Sequence, residues 1–162
     1  MKKNLLLSVF AAAAVLVSCK KEVTITPATD IQEESSAAAI NSKISEDLPE
    51  NIREFVSQFY DQKDIASYEI KNVPLKGKSY ELKFKHGAEI EFNESGTWHE
   101  WSDSKGIPHS ALPENIKNYL NQHYPNIFAT SIDKGANKIK VDLASDVDLE
   151  FDVHGNFIRI DD

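Results

Sequence analysis

"LPENIREFVSQFY" at residues 48–60 returns as "LPENIKNYLNQHY" at residues 112–124, and this doubled stretch decides the fold. Leu48, Pro49, Glu50, Asn51, Ile52, Gln58 and Tyr60 are identical to Leu112, Pro113, Glu114, Asn115, Ile116, Gln122 and Tyr124. Self-similarity at a fixed offset, here 64, marks duplicated structural units. Each copy opens a helix. Pro49 and Pro113 suit a first turn, where a missing N–H costs nothing, and Glu50 and Glu114 face the positive end of the helix dipole. Asp47 and Glu50 have capping-box spacing, whereas the counterpart Ala111 cannot cap. Apolar residues recur at helical spacing as Ile52, Phe55, Val56, Phe59 and Tyr60, then as Ile116, Tyr119, Leu120 and Tyr124. A helix apolar on one face must lie on something.

The cover is sheet. Tyr80, Leu82 and Phe84 alternate with polar residues, as do Ala88, Ile90 and Phe92. The second copy supplies Ile139, Val141 and Leu143, then Val147, Leu149 and Phe151. For Phe84 and Ala88 to share a face, the loop between them needs an odd length, which gives Lys85, His86 and Gly87, with Gly87 left-handed. Asp146 takes that place in the second copy, and Gly96 and Gly155 close the next hairpins. An earlier strand around residues 66–70 and 128–132 completes a helix followed by four strands. Two tandem units are predicted, at 47–104 and 105–162, each an α+β repeat with a four-stranded antiparallel sheet.

The paired stretches "YELKFKHGAEIEFNESGTW" and "IKVDLASDVDLEFDVHGNF" resemble the strand–turn–strand pattern of PepSY domains. With the preceding helix, the chain resembles the PepSY-like, β-lactamase-inhibitor-protein-like (BLIP-like) lipoproteins and secreted proteins of Bacteroidetes over about residues 47–162. The resemblance implies helices packed on one face of an antiparallel sheet, and a protein-binding role. Two departures stand against carrying inhibition over. The inhibitor staples its domains with disulfides, and its inserted loop residues have no match at Lys85-His86-Gly87 or Ala144-Ser145-Asp146.

Upstream, Lys2 and Lys3 precede an apolar run over residues 5–17 and then Ser18 and Cys19. This is the pattern of a secretory signal, and its "LVSC" ending resembles a bacterial lipoprotein signal with Cys19 as the lipidated first mature residue. Residues 1–18 are read as the signal, and 19–46 as lipidated Cys19 and a flexible tether spanning roughly 30 Å. The expected location is the cell envelope, lipid-anchored, in the outer membrane facing the periplasm, with surface exposure left open. Cys19 is the only cysteine, so the body has no disulfide, thiol nucleophile or cysteine metal ligand. The formal charge of −8 becomes −10 without Lys2 and Lys3, which argues against nucleic acid as a partner.

Enzymatic motifs are scarce, with no nucleophile-and-base signature and no phosphate loop. No cofactor is implied. His99, Asp103 and His109 could meet at a metal only if the fold brought them together. In the second hairpin, Asp142 lies opposite Asp148 and close to Asp146, a like-charge pair that calcium would relieve or salt would screen. Strict alternation along "TWHEW" and "NFIRI" buries Trp98 and Phe157 and turns Trp101, Ile158 and Ile160 to the opposite face. Either the other repeat or "SKGIPHSALPEN" covers that face, or an envelope protein or peptide does. On the second reading Trp101, His99, Ile158 and Ile160 form a binding surface with Trp101 as anchor. The leading expectation is a non-catalytic binding module, with inhibition of an envelope enzyme as its extension. The alternatives are a structural or stress-related component with a cation-responsive acidic hairpin and, weakest, an enzyme.

Overall fold

The computed structural model describes residues 21–24, 42–44 and 46–161. Among them, nine antiparallel strands form one sheet whose spatial order is the order of the sequence. Strand β1 (Lys21–Thr24) is followed by helix α1 (Glu50–Ser57) and strands β2 (Ile65–Val73), β3 (Gly77–Phe84), β4 (Glu89–Phe92) and β5 (Trp98–Ser102). Helix α2 (Glu114–His123) is followed by β6 (Ala129–Lys134), β7 (Ile139–Leu143), β8 (Asp148–Phe151) and β9 (Phe157–Asp161).

The two helices open at the doubled pentapeptide and bury Ile52 and Val56, then Ile116 and Leu120. Their start differs from expectation at one point. Pro49 and Pro113 occupy the N-cap positions without a side-chain cap bond, one position earlier than the first turn. Asp47, two residues before the N-cap proline, accepts a 2.6 Å hydrogen bond from the Tyr68 hydroxyl of β2. Both asparagines of the pentapeptide act as latches. Asn51 Nδ2 donates to the Ser95 carbonyl at 2.9 Å, and Asn115 Nδ2 donates to the His154 carbonyl at 2.8 Å. Each therefore ties the start of a helix to the turn of the second hairpin in its own half.

Those turns are built alike. The Asn93 side chain accepts from the Ser95 and Thr97 amides, and Asp152 accepts from the His154 and Asn156 amides. Gly96 and Gly155 follow with φ of 77° and 82°. A Cβ on Gly96 would lie 2.2 Å from Asn51 Nδ2, so glycine is needed for the latch as well as for the turn. The first hairpins have the expected register, with Gly87 at φ 96° and Asp146 at φ 57°.

Two expectations are corrected. The four-stranded sheets are not separate: β5 pairs with β6 through Glu100–Asp133, Trp101–Ile132 and Ser102–Ser131. A free β5 would leave a ladder of backbone groups unpaired beside a tryptophan, and fusion removes that edge. Of the tether expected over 19–46, residues 25–41 lie outside the described residues, and two of the described segments pack against the sheet or core. Lys21–Thr24 pair with β2 and cover part of its outer edge, and Ile44 is fully buried in the core.

An apolar rung crosses the sheet on the helix-covered face, through Tyr68, Leu82, Ile90, Trp101, Ile132, Val141, Leu149 and Ile160. On the other face the matching rung is charged: Glu69, Glu81, Glu91, Glu100, Asp133, Lys140, Glu150 and Arg159. The helices thus lie over one face, and a charged rung runs along the second from β2 to β9.

Candidate functional site

Trp101 is not on the surface. A bulge interrupts the β4–β5 ladder: Glu91 pairs with Glu100 and Phe92 with Trp98, leaving His99 as the extra residue. One inserted residue shifts the phase of alternation, so Trp98 and Trp101 both face the helices. Trp101 is wholly buried against Phe55 of α1 and Phe59 of the turn that follows it, with ring centroids 5.7 and 5.3 Å away. Its indole N–H donates to the Tyr60 oxygen at 3.1 Å, and the Tyr60 hydroxyl donates to Asp103 Oδ2 at 2.7 Å. Burial and the adjacent Asp103 carboxylate raise the Tyr60 pKa well above that of a free phenol. His86 Nε2 stands 3.5 Å from the same carboxylate. The expected anchor is therefore a core residue held by a polar network. Asp103 is committed to that network and His99 to the other face, so the suggested His99, Asp103 and His109 metal set does not assemble.

The bulge has a second consequence. It turns the adjacent residues His99 and Glu100 toward the charged face, where both oppose Glu91. The nearest donor atoms of Glu91, His99 and Glu100 all lie within 4.8 Å of one another, the one such group among the described residues. His99 Nε2 is 3.9 Å from Glu91 Oε2, while Glu91 Oε1 is 3.9 Å from Lys71. Glu100 lies between two acidic ladder partners, Glu91 and Asp133. Burial, with those two charges, raises its carboxyl pKa above the ordinary value.

The second half carries the same bulge with different chemistry. Glu150 pairs with Arg159 and Phe151 with Phe157, leaving Ile158 as the extra residue. Here the charge is balanced from within. Arg159 Nε reaches Glu150 Oε2 at 2.8 Å, Lys138 reaches Oε1, and Lys140 lies 3.7 Å from Oε1. The contacts with Arg159 first and Lys138 second hold the Glu150 carboxyl down at about 2. At the acidic hairpin, Asp142 does pair with Asp148, and burial and that neighbour raise the Asp142 pKa. Asp146 sits at the turn, but the three do not converge as a donor set among the described residues.

Ile158 and Ile160 are about half exposed at the outer strand of the sheet, with Phe157 at 39% and Val153 at 49% beside them. Ile160 ends the apolar rung, pairing with wholly buried Leu149. Among the described strands none lies beyond it, which leaves it exposed. Phe157 stacks on Tyr119 of α2 at 4.5 Å with an interplanar angle of 12°. At the C-terminal end of α2, Ile107, Leu120, Tyr124 and Phe128 line a cleft of about 300 Å³.

Sequence reasoning missed the role of Glu91 and Glu100 and the asparagine latches. The bulge that makes the first has no residue signature of its own, whereas the identity of Asn51 and Asn115 was a visible signal left without a role. Cys19 and the signal region lie outside the described residues.

The sequence profile of the family described as "Putative beta-lactamase-inhibitor-like, PepSY-like" matches residues 78–159. The fold is shared with several solved structures. One is a "putative periplasmic protein of unknown function" from Bacteroides vulgatus, 26% identical, with a TM-score of 0.65 over 72% of this chain and 94% of that one. Another is a "putative calcium-regulated periplasmic protein" from Bacteroides thetaiotaomicron, 27% identical, with a TM-score of 0.65 over 72% and 92%. A second Bacteroides vulgatus periplasmic protein, 22% identical, has a TM-score of 0.69 over 90% and 99%. No curated protein matches the chain.

Proposed function

Because the chain belongs to the β-lactamase-inhibitor-like, PepSY-like family, we propose that it is a non-catalytic periplasmic module that binds a protein along β9. One observation carries the reading. Of the six exposed large apolar residues among those described, Val153, Phe157, Ile158 and Ile160 lie on β9 or the turn before it. Strand β9 is also last in the sheet, so its outer N–H and C=O groups have no neighbour among the described strands. An apolar strand at the edge of a sheet is a template for a partner's extended segment, which adds as a further strand. Trp101 takes no part, and His99 belongs to the other face.

The envelope location draws support from the periplasmic descriptions of similar structures. The apolar run over residues 5–17 and Cys19 support a lipid anchor in the outer membrane. Inhibition of an envelope enzyme would follow by covering its surface, with no chemistry required of this chain. The proposal also takes residues 47–104 and 105–162 as copies of one unit. Matched bulges and paired asparagine latches support that reading.

The test is a photo-crosslinking amino acid placed at Ile158 or Ile160 in the producing cell, with Leu75 as an exposed control on the β2–β3 turn. A discrete adduct from 158 and 160 but not from 75 is expected. No adduct, or the same adducts from all three positions, removes β9 as the binding element.

A further inference from the structure

The two bulges present the same geometric problem, and the chain resolves only one of them. In both halves a ladder glutamate, Glu91 or Glu150, faces two consecutive bulge residues on the polar side of the sheet. In the second half the position after the bulge residue is Arg159, whose guanidinium neutralises Glu150. In the first half that position is Glu100, and among the described residues Glu100 makes no ion pair. The extra residue is Ile158 in one half and His99 in the other, so the half that lacks the arginine has an imidazole donor in its place.

We propose that Glu91, His99 and Glu100 bind one borderline divalent cation of the zinc class, which does for the first half what Arg159 does for the second. The donor set defines the class. Calcium takes oxygen ligands almost alone, whereas an imidazole with two carboxylates suits zinc and its first-row neighbours. Three protein ligands with a water completing the shell is the pattern of an accessible zinc site. Tetrahedral ligands about 2.1 Å from zinc stand about 3.4 Å apart. His99 Nε2 and Glu91 Oε2 are already 3.9 Å apart, so small side-chain rotations close the site. Lys71 does not occupy it, since it approaches Glu91 through the other oxygen, Oε1. Asp133, opposite Glu100 on β6, adds negative potential from the neighbouring strand.

The site does not depend on a partner at β9, and its test is separate. The full chain is titrated with zinc chloride and, separately, with calcium chloride, followed by calorimetry and by thermal melting. One zinc ion per chain and a raised melting temperature are expected, because a ligand that binds only the folded state stabilises it. His99→Gln, a neutral substitution at a partly exposed position, should lose the zinc signal while keeping the metal-free melting temperature. Glu100→Arg, which copies the second half, should lose it as well and melt no lower than the metal-free parent. Zinc binding unchanged in both variants overturns the proposal. So does a wild-type chain that binds no zinc, or one whose site prefers calcium.

Discussion

Strands β5 and β9 occupy the same place in the two halves and carry the same bulge, yet one is core and the other surface. Trp101 and Ile160 are counterparts after the bulge, and both extend the apolar rung. Trp101 has β6 beyond it and Phe55 of α1 and the nearby Phe59 above it, and its exposure is zero. Ile160 has Leu149 on one side and no described strand on the other, and it is 48% exposed. Burial here follows the position of a strand in the sheet, not the pattern within the strand.

The widest contrast is between those counterparts. Trp101→Ala should cost about 3–5 kcal/mol, the range for truncating a large core aromatic, and also removes the indole donor to the Tyr60 oxygen. Ile160→Ala should cost under about 1 kcal/mol, because half of the side chain is already wet. Urea denaturation of the two variants measures the difference, and equal losses would break the comparison.

The next effect concerns the turns. Gly96→Ala should destabilise by about 2 kcal/mol, since it forces a left-handed alanine and displaces the Asn51 latch. Gly87→Ala, also left-handed but with nothing within 4 Å of the added carbon, should cost only about 1 kcal/mol. Asn51→Ala and Asn115→Ala each remove one side-chain-to-carbonyl bond, and about 1 kcal/mol is expected from each. If the copies are energetically alike, these two losses agree; a large inequality in chemical denaturation would sharpen the difference between the halves.

The smallest effect is on pH dependence. Glu150 is held at about 2 against an ordinary 4.5, so the folded state binds its proton less readily than the unfolded chain. Its contribution is therefore fully present above pH 4.5 and fades as pH falls toward 2. Melting temperatures between pH 5 and 2.5 should fall less steeply for Glu150→Gln than for the parent chain. An unchanged slope would show that the Arg159, Lys138 and Lys140 cluster is not what sets the second half apart.

Much of the fold was legible. The apolar periods of residues 52–60 and 116–124 specified both helices, because a helix repeats its face every three or four residues. Alternation fixed the strands, and parity fixed the three-residue turns at Gly87 and Asp146. The candidate site was much less legible. Alternation placed Trp101 on the wrong face because a bulge adds one residue without any distinctive residue type. The same insertion moved His99 beside Glu100 and opposite Glu91, a grouping that no spacing in the sequence implies. The tether over 19–46 read as polar and aperiodic, yet part of it found a sheet edge to cover.

By itself the sequence determined what is local: where helices begin, which residues of a strand share a face between bulges, and that one pentapeptide opens both halves. The tertiary structure decided which strands end up central, that β5 and β6 join two sheets into one, and which apolar residues stay wet. It also decided which charges are neutralised. Those outcomes depend on which neighbours lie across a ladder, and hydrogen-bonded neighbours come from other segments of the chain. The periodicity of a single segment carries no information about them.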